Sequence, residues 1–218
     1  MAGWIDEVAG CVRRCAVGVF VVWGLVAVAL PASADEVPTS SDGAARKVAA
    51  SVCTACHGAA GQSQSSEFPH LAAQQESYLS AQLRAFRSRT RAEPSAHDYM
   101  WGMATLLEDP VIDALARYYA AQPAAPGRAG DAALTTQGQK LFSQGDAARN
   151  IQACASCHGE RAQGSFIFPR LAGQHAAYVE KQLGVIQHKL RDAPIMHGVV
   201  KDLSAAEIHA LAVYVQGL

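Results

Sequence analysis

The chain has 218 residues, with 18 Lys and Arg against 19 Asp and Glu, for a net charge of −1. That balance excludes an electrostatic nucleic-acid binder, which needs a basic surplus. With 50% hydrophobic and 17% charged residues, wholesale disorder is excluded as well.

The first segment in chain order reads as a secretory signal. Arg13 and Arg14 precede an uncharged apolar run from Cys15 to Leu30, which is followed by Pro31 and Ala32-Ser33-Ala34. A positive start, an apolar middle and a small-residue cleavage site define such a segment. Sixteen apolar residues are short for a membrane span, which needs about 20. The expectation is a signal peptide over 1–34, cleaved after Ala34, with export across a membrane. The remaining 184 residues hold four cysteines and three methionines.

Those 184 residues are an internal repeat. Cys53-Thr-Ala-Cys56-His57-Gly58 recurs as Cys154-Ala-Ser-Cys157-His158-Gly159. Phe68-Pro69, Leu71-Ala72, Gln74, Tyr78, Gln82, Leu83 and Arg91 each recur 100 residues later, and Met100-Trp-Gly102 recurs as Met196-His-Gly198. Two copies of about 90 residues fit a duplicated domain, because solenoid periods are shorter and need three or more copies. Prolines and glycines between Pro123 and Gly130 mark a linker. The expected organisation is a first domain over 35–122, a linker over 123–130 and a second domain over 131–218. Residues 35–125 carry seven basic and ten acidic groups, a charge of −3, whereas 126–218 carry nine and seven, a charge of +2.

Each copy reads as about three helices. Ala44–Cys53 leads into the first motif. Tyr78, Leu79, Leu83 and Phe86 recur at helical spacing, as do Tyr178, Val179, Leu183, Ile186 and Leu190. Asp109-Pro110 reads as a cap followed by proline at the first helical position. Ser204-Ala-Ala-Glu207 reads as a capping box opening the last helix. No stretch alternates like a strand, so the fold class is all-α.

Cys-x-x-Cys-His is the attachment signature of c-type haem. Cysteines three apart lie on one helical face, so both can form thioethers with one haem edge while the next residue, His, turns to the iron. A thioredoxin-like pair or half of a zinc site are competing readings of a single motif. Two motifs that use all four remaining cysteines, in an exported chain, favour two covalently attached c-type haems. The cofactor-binding residues are then Cys53, Cys56, His57, Cys154, Cys157 and His158. The iron ligands are His57 with Met100, and His158 with Met196. Met103 is the rival to Met100, and His97 and His197 are runners-up. A thioether opposite histidine raises the potential and fills both axial positions, which suits electron transfer and leaves no place for a substrate. Hence no catalytic residue is expected. Pro69 and Pro169 either make a rigid turn or aim a carbonyl at the histidine Nδ1–H. Arg91 and Arg191 either pair with haem propionates or are solvated. Tyr78 and Tyr178 read as core residues whose hydroxyls find a partner.

On these motifs the chain resembles the dihaem cytochrome c4 family, two class I cytochrome c domains in tandem. The resemblance covers nearly all of residues 40–218. It implies two small helical domains face to face, each wrapped around one haem, with the axial pairs named above. It also implies a periplasmic electron carrier, soluble or loosely membrane-associated. Its partners would be redox proteins: a donor such as a quinol–cytochrome c reductase and an acceptor such as a terminal oxidase. The alternative is the dihaem subunit of a periplasmic dehydrogenase complex, such as a flavin-dependent sulfide dehydrogenase. A dihaem peroxidase or a gas sensor would need an open iron. Residues 92–99 make the first methionine loop four residues longer than the second.

Overall fold

A computed structural model describes residues 40–218. The expected signal peptide, 1–34, lies outside the described residues. Ten α-helices follow in order, and no strand occurs among the described residues. The first copy holds α1 (Ser40–Val48), α2 (Thr54–His57), α3 (Glu76–Arg87), α4 (Trp101–Ala104) and α5 (Asp109–Ala120). The second holds α6 (Ala132–Gln144), α7 (Ala155–His158), α8 (Ala176–Gln187), α9 (Pro194–Val200) and α10 (Ala205–Gln216). The three long helices expected of each copy are α1, α3 and α5, and α6, α8 and α10. The short helices carry the haem-motif histidines and lie at the methionines.

Within each copy the first and last long helices cross. α1 packs on α5, and α6 on α10. Small residues make the close approach: Ala45 is fully buried in α1. At Gly138 in α6 a Cβ would stand 2.1 Å from the Ala210 carbonyl oxygen and 2.8 Å from the Tyr214 Cβ. Phe142, Leu211 and Val215 complete that second core, while Leu79, Leu115 and Tyr119 form its counterpart.

The helix boundaries follow local chemistry. The capping box is present: the Ser204 hydroxyl accepts from the Glu207 amide, and the Glu207 carboxylate accepts from the Ser204 amide. α5 starts one residue earlier than the sequence suggests. Glu108 holds the cap position without a side-chain bond, and Asp109 lies inside the first turn, where it receives Arg84 and Arg87 instead. α8 stops at Gln187, so Leu190 is not part of its apolar stripe and is half exposed. The chain turns there through Lys189 in the left-handed region, as it does through Arg89 after α3.

Residues 123–130 are non-helical but not loose. The Arg128 amide donates to the Gln216 carbonyl at 2.9 Å, and the Gln62 side chain donates to the Pro123 carbonyl at 2.8 Å. This strap lies against the end of α10. No helix among the described residues is long and apolar enough to cross a membrane.

Because Gly138 sits in backbone contact with α10, Gly138→Ala overpacks the crossing and should cost about 1–3 kcal/mol. Gly43, exposed on α1 with nothing near its Cβ position, is the control. Gly43→Ala should be neutral or stabilise by up to about 1 kcal/mol. Thermal unfolding of the two variants checks the difference.

Candidate functional site

The local backbone around each Cys-x-x-Cys-His motif is set by its last residue and the glycine behind it. α2 and α7 end at His57 and His158, and Gly58 and Gly159 take positive φ (74° and 81°). A Cβ on Gly58 would lie 2.1 Å from the Gln62 carbonyl oxygen, so the tight reversal requires glycine. The reversal turns each imidazole inward, and both histidines are buried.

Each imidazole is then fixed by one hydrogen bond. His57 Nδ1 donates to the Pro69 carbonyl at 2.9 Å, and His158 Nδ1 to the Pro169 carbonyl at 2.8 Å. Of the two roles considered for these prolines, the carbonyl-aiming one is therefore the observed geometry. Burial pushes both imidazoles below their ordinary pKa, although the proline carbonyl opposes the shift. The rings are thus neutral, with the proton on Nδ1 and the Nε2 lone pair free to ligate. Phe68 and Phe168 stand edge-on to these rings at 6.2 and 6.3 Å, both at 69°.

The four cysteines among the described residues are unpaired. Burial raises the Cys53 thiol, and it pushes Cys154 up to about 11. Such thiols are not the low-pKa nucleophiles of a dithiol redox pair. Among the described residues no cluster of three or more metal-binding side chains forms, so the zinc reading has no support here.

One cavity of about 520 Å³ reaches both motifs. Cys53, Cys56, His57 and Met100 line it from the first copy, and Cys154, Cys157, His158 and Met196 from the second. Its walls are mostly apolar, with Leu83, Phe86 and Leu115 on one side and Leu183, Ile186 and Leu211 on the other. Paired thiols, an inward imidazole with a free Nε2 and a thioether lining the same cavity in each half fit a planar, apolar, covalently held iron porphyrin. The donor set therefore agrees with two haems.

Met100 and Met103 both reach the cavity, but differently. Met100 packs against Phe86, Ala96 and Ala104, whereas Met103 is 55% exposed. Met196 packs on the second core. His97 is exposed and pairs with Asp98 at 2.9 Å. His197 Nε2 donates to the Arg191 carbonyl at 2.8 Å, the contact that Trp101 Nε1 makes to the Arg91 carbonyl in the first copy. The middle residue of each Met-x-Gly turn thus ties the methionine segment to the preceding arginine, and neither runner-up histidine lines the cavity.

Arg91 and Arg191 are not solvated, with exposures of 6% and 7%. They cross between the copies. Arg191 donates to the Tyr78 hydroxyl and Gln82, at 2.6 and 2.8 Å; Arg91 donates to the Tyr178 hydroxyl and Gln182, at 3.4 and 3.0 Å. Each also bonds the glutamine of its own copy. Tyr78 and Tyr178 therefore find their partners in the opposite copy. Gln74 and Gln174 do the same with backbone. Gln74 bridges the N–H and carbonyl of Arg170 at 2.7 and 2.9 Å, and Gln174 those of His70 at 2.9 and 3.0 Å. The sequence marked these glutamines only as repeated residues. A polar residue repeated just ahead of a helix in both copies was the available signal, and its partner lay about 100 residues away.

The same interface holds a stacked histidine pair. The His70 and His175 rings lie 4.1 Å apart at 28°, and His175 Nε2 bonds the Ser63 carbonyl at 3.2 Å. Burial, then His175, then Arg128 push the His70 pKa from 6.5 to about 4.

Comparison with known proteins places this geometry. The family described as "Cytochrome c" matches residues 43–119 and again 135–218. Cytochrome c4 of Stutzerimonas stutzeri is 39% identical over 180 residues, covering 77% of this chain and 84% of the relative. A protein of Thiomonas intermedia named thiosulfate dehydrogenase electron acceptor is 36% identical over 170 residues, covering 75% and 76%. The solved structure of Acidithiobacillus ferrooxidans cytochrome c4 superposes with a TM-score of 0.73 at 36% identity, covering 76% of this chain and 98% of that one.

The His70 shift has a testable consequence. The unfolded side chain takes up a proton near pH 6.5 and the folded one only near 4, so its contribution is present above pH 6.5 and is lost as pH falls through 4. Denaturant midpoints measured from pH 7 to 4 should fall, and His70→Gln should flatten that slope.

Proposed function

The chain belongs to the cytochrome c family as a dihaem cytochrome c4, a two-haem electron-transfer protein, and from that premise we propose that it shuttles electrons between respiratory-chain proteins in the periplasm. In this reading residues 1–34 direct export and are removed, and 35–122 and 131–218 are the two cytochrome domains joined by 123–130. Donor and acceptor are redox proteins, a quinol–cytochrome c reductase and a terminal oxidase being the pair that fits the proposal.

The site assignment follows from the residues. Cys53 and Cys56, and Cys154 and Cys157, hold the two haems through thioether bonds. His57 and His158 ligate through Nε2, held in that tautomer by the Pro69 and Pro169 carbonyls. Met100 and Met196 would supply the sulfur ligands, and the exposure of Met103 makes it the weaker choice. The bound haem supplies a reversible one-electron ferric–ferrous couple, whose potential a thioether ligand raises. The chain's own work would be to offer the His57, Met100, His158 and Met196 donors to the bound haems, exclude water with the apolar wall, and tie the two sites together through the Arg91–Arg191 network. A haem held by both a histidine and a methionine would leave no place for a substrate, which favours a carrier over an enzyme. The observation that carries this reading is a cavity lined by both motifs, with each imidazole held by the same Nδ1 bond to a proline carbonyl.

The opposite formal charges of the halves, −3 and +2, suit weak, salt-sensitive docking of two different partners. A second reading makes the chain the electron-accepting subunit of a dehydrogenase. The similarity to a thiosulfate dehydrogenase electron acceptor favours it. Co-purification with a flavoprotein or another dehydrogenase would decide for that reading.

The purified chain should carry two haems that survive denaturation. Replacing Cys53 and Cys56 together by alanine should reduce the covalent count from two to one, read by haem staining of a denaturing gel. The oxidised protein should show the far-red sulfur-to-iron band. Met100→Ala and Met196→Ala should each remove about half of it, and Met103→Ala none. Loss of the band in Met103→Ala, with Met100→Ala unchanged, would reverse the first assignment.

A further inference from the structure

Because the two halves repeat each other, a buried carboxylate present on only one cavity wall is informative. Glu93 is such a group, whereas Asp192, which lines the second wall, is exposed. Its counterpart 100 residues later is Ala193. Glu93 is only 1% exposed and lines the cavity between Arg91 and the Met100 segment. One carboxylate oxygen accepts from the Arg91 guanidinium at 2.7 Å; the other, Oε2, is buried without a protein partner.

The groups facing it are Arg91 beside it, Tyr78 on α3 and Arg191 from the second copy. Arg191 and Arg91 outweigh burial and hold the Tyr78 phenol below its ordinary value, while Glu93 pushes it the other way. The carboxylate therefore acts on the first-copy wall, where Tyr78 stands. Among the described residues no carboxylate pairs with Arg191. The first wall thus carries a guanidinium neutralised by a buried anion; the second carries an arginine with only neutral partners, a methyl group at the Glu93 position, and at its exposed rim Asp192, whose field water screens.

We propose that Glu93 holds the potential of the haem in the first half below that of the haem in the second. This deepens, and rests on, the two-haem reading above. Ferric haem carries one more positive charge than ferrous haem. A buried carboxylate on the wall favours the ferric form, and burial limits its screening by water and salt. Removing the charge from the first wall raises that site's potential, and adding one to the second wall lowers the other. Glu93 is not an iron ligand; it acts through the field it places on the site.

The test is an equilibrium redox titration of the full-length holoprotein, with each haem followed through its own paramagnetically shifted methyl resonances. In Glu93→Gln the ferric-to-ferrous ratio of the first haem at a fixed ambient potential should fall about tenfold, an upward shift of about 59 mV for a one-electron couple. The second haem should move by less than a third of that. Ala193→Glu supplies the mirror experiment and should lower the second potential selectively. A haem-to-chain ratio other than two in the parent protein would overturn the dihaem reading and this proposal with it. A ratio of two, with both potentials unmoved or equally moved in Glu93→Gln, would overturn the role of Glu93 alone.

Discussion

The direction of two imidazole rings governs how the rest of the chain is arranged. His57 and His158 each give Nδ1–H to a proline carbonyl from a segment 12 or 11 residues downstream. For that bond to form, the chain must reverse at Gly58 and Gly159, run past the cysteines and return with a proline whose fixed φ orients the carbonyl. The long helices then close around the face on which Nε2 lies. Each half of about 90 residues is small for a self-sufficient core. Its apolar side chains are arranged as walls of a cavity as much as a packed centre, and a covalently held prosthetic group is the kind of staple such small domains require.

The walls are completed jointly. Gln82 and Gln182 each accept from both Arg91 and Arg191, so three buried side chains and the half-buried Gln82 satisfy one another across the repeat. A buried guanidinium left without acceptors would be costly, and removing one member leaves the others unpaired. The Gln74 and Gln174 side chains add a second tie, each holding a backbone donor and acceptor of the opposite copy. These contacts specify register, because a slip of one residue would break all of them together. A rigid pairing of the halves is what a carrier with two redox sites needs, since the separation of the sites is then constant.

Much of this was legible in the sequence. The cysteine motifs, the repeat and the helical stripes each follow from a local pattern, and the Ser204–Glu207 box formed where the pattern placed it. Proline at the aiming position was legible as one of two roles, because a fixed turn and a fixed carbonyl leave the same trace. What the pattern could not carry was pairing between copies. Arg91 and Arg191 read equally well as solvated side chains, since nothing within 80 residues of either names Tyr178 or Tyr78 as its partner. Leu190 fitted the helical period of α8, yet the backbone leaves the helix at Gln187 through a left-handed Lys189, which periodicity does not detect. Asp109 looked like a cap because caps and first-turn acids share residue types.

Where the copies differ is as instructive as where they agree. At the histidine rings they agree, with carbonyl distances of 2.9 and 2.8 Å and the same 69° ring angle to phenylalanine, although a π-helical turn over Ala49–Cys53 leads into the first motif only. Thioether attachment and imidazole orientation allow one geometry, so duplication leaves them alone. On the methionine side the first copy has a longer loop, a π-helical turn over Ala96–Met100 where the second has the regular α9, and Glu93 where the second has Ala193. A π turn admits an extra residue without ending the helix and re-aims the side chains that follow it. The imidazole and its proline partner keep one geometry in both copies, while loop length, helix type and charge differ on the methionine face, where ligand strength, packing and charge set the potential. Two sites built from one plan, then tuned from one side only, can differ in energy without differing in how they are held.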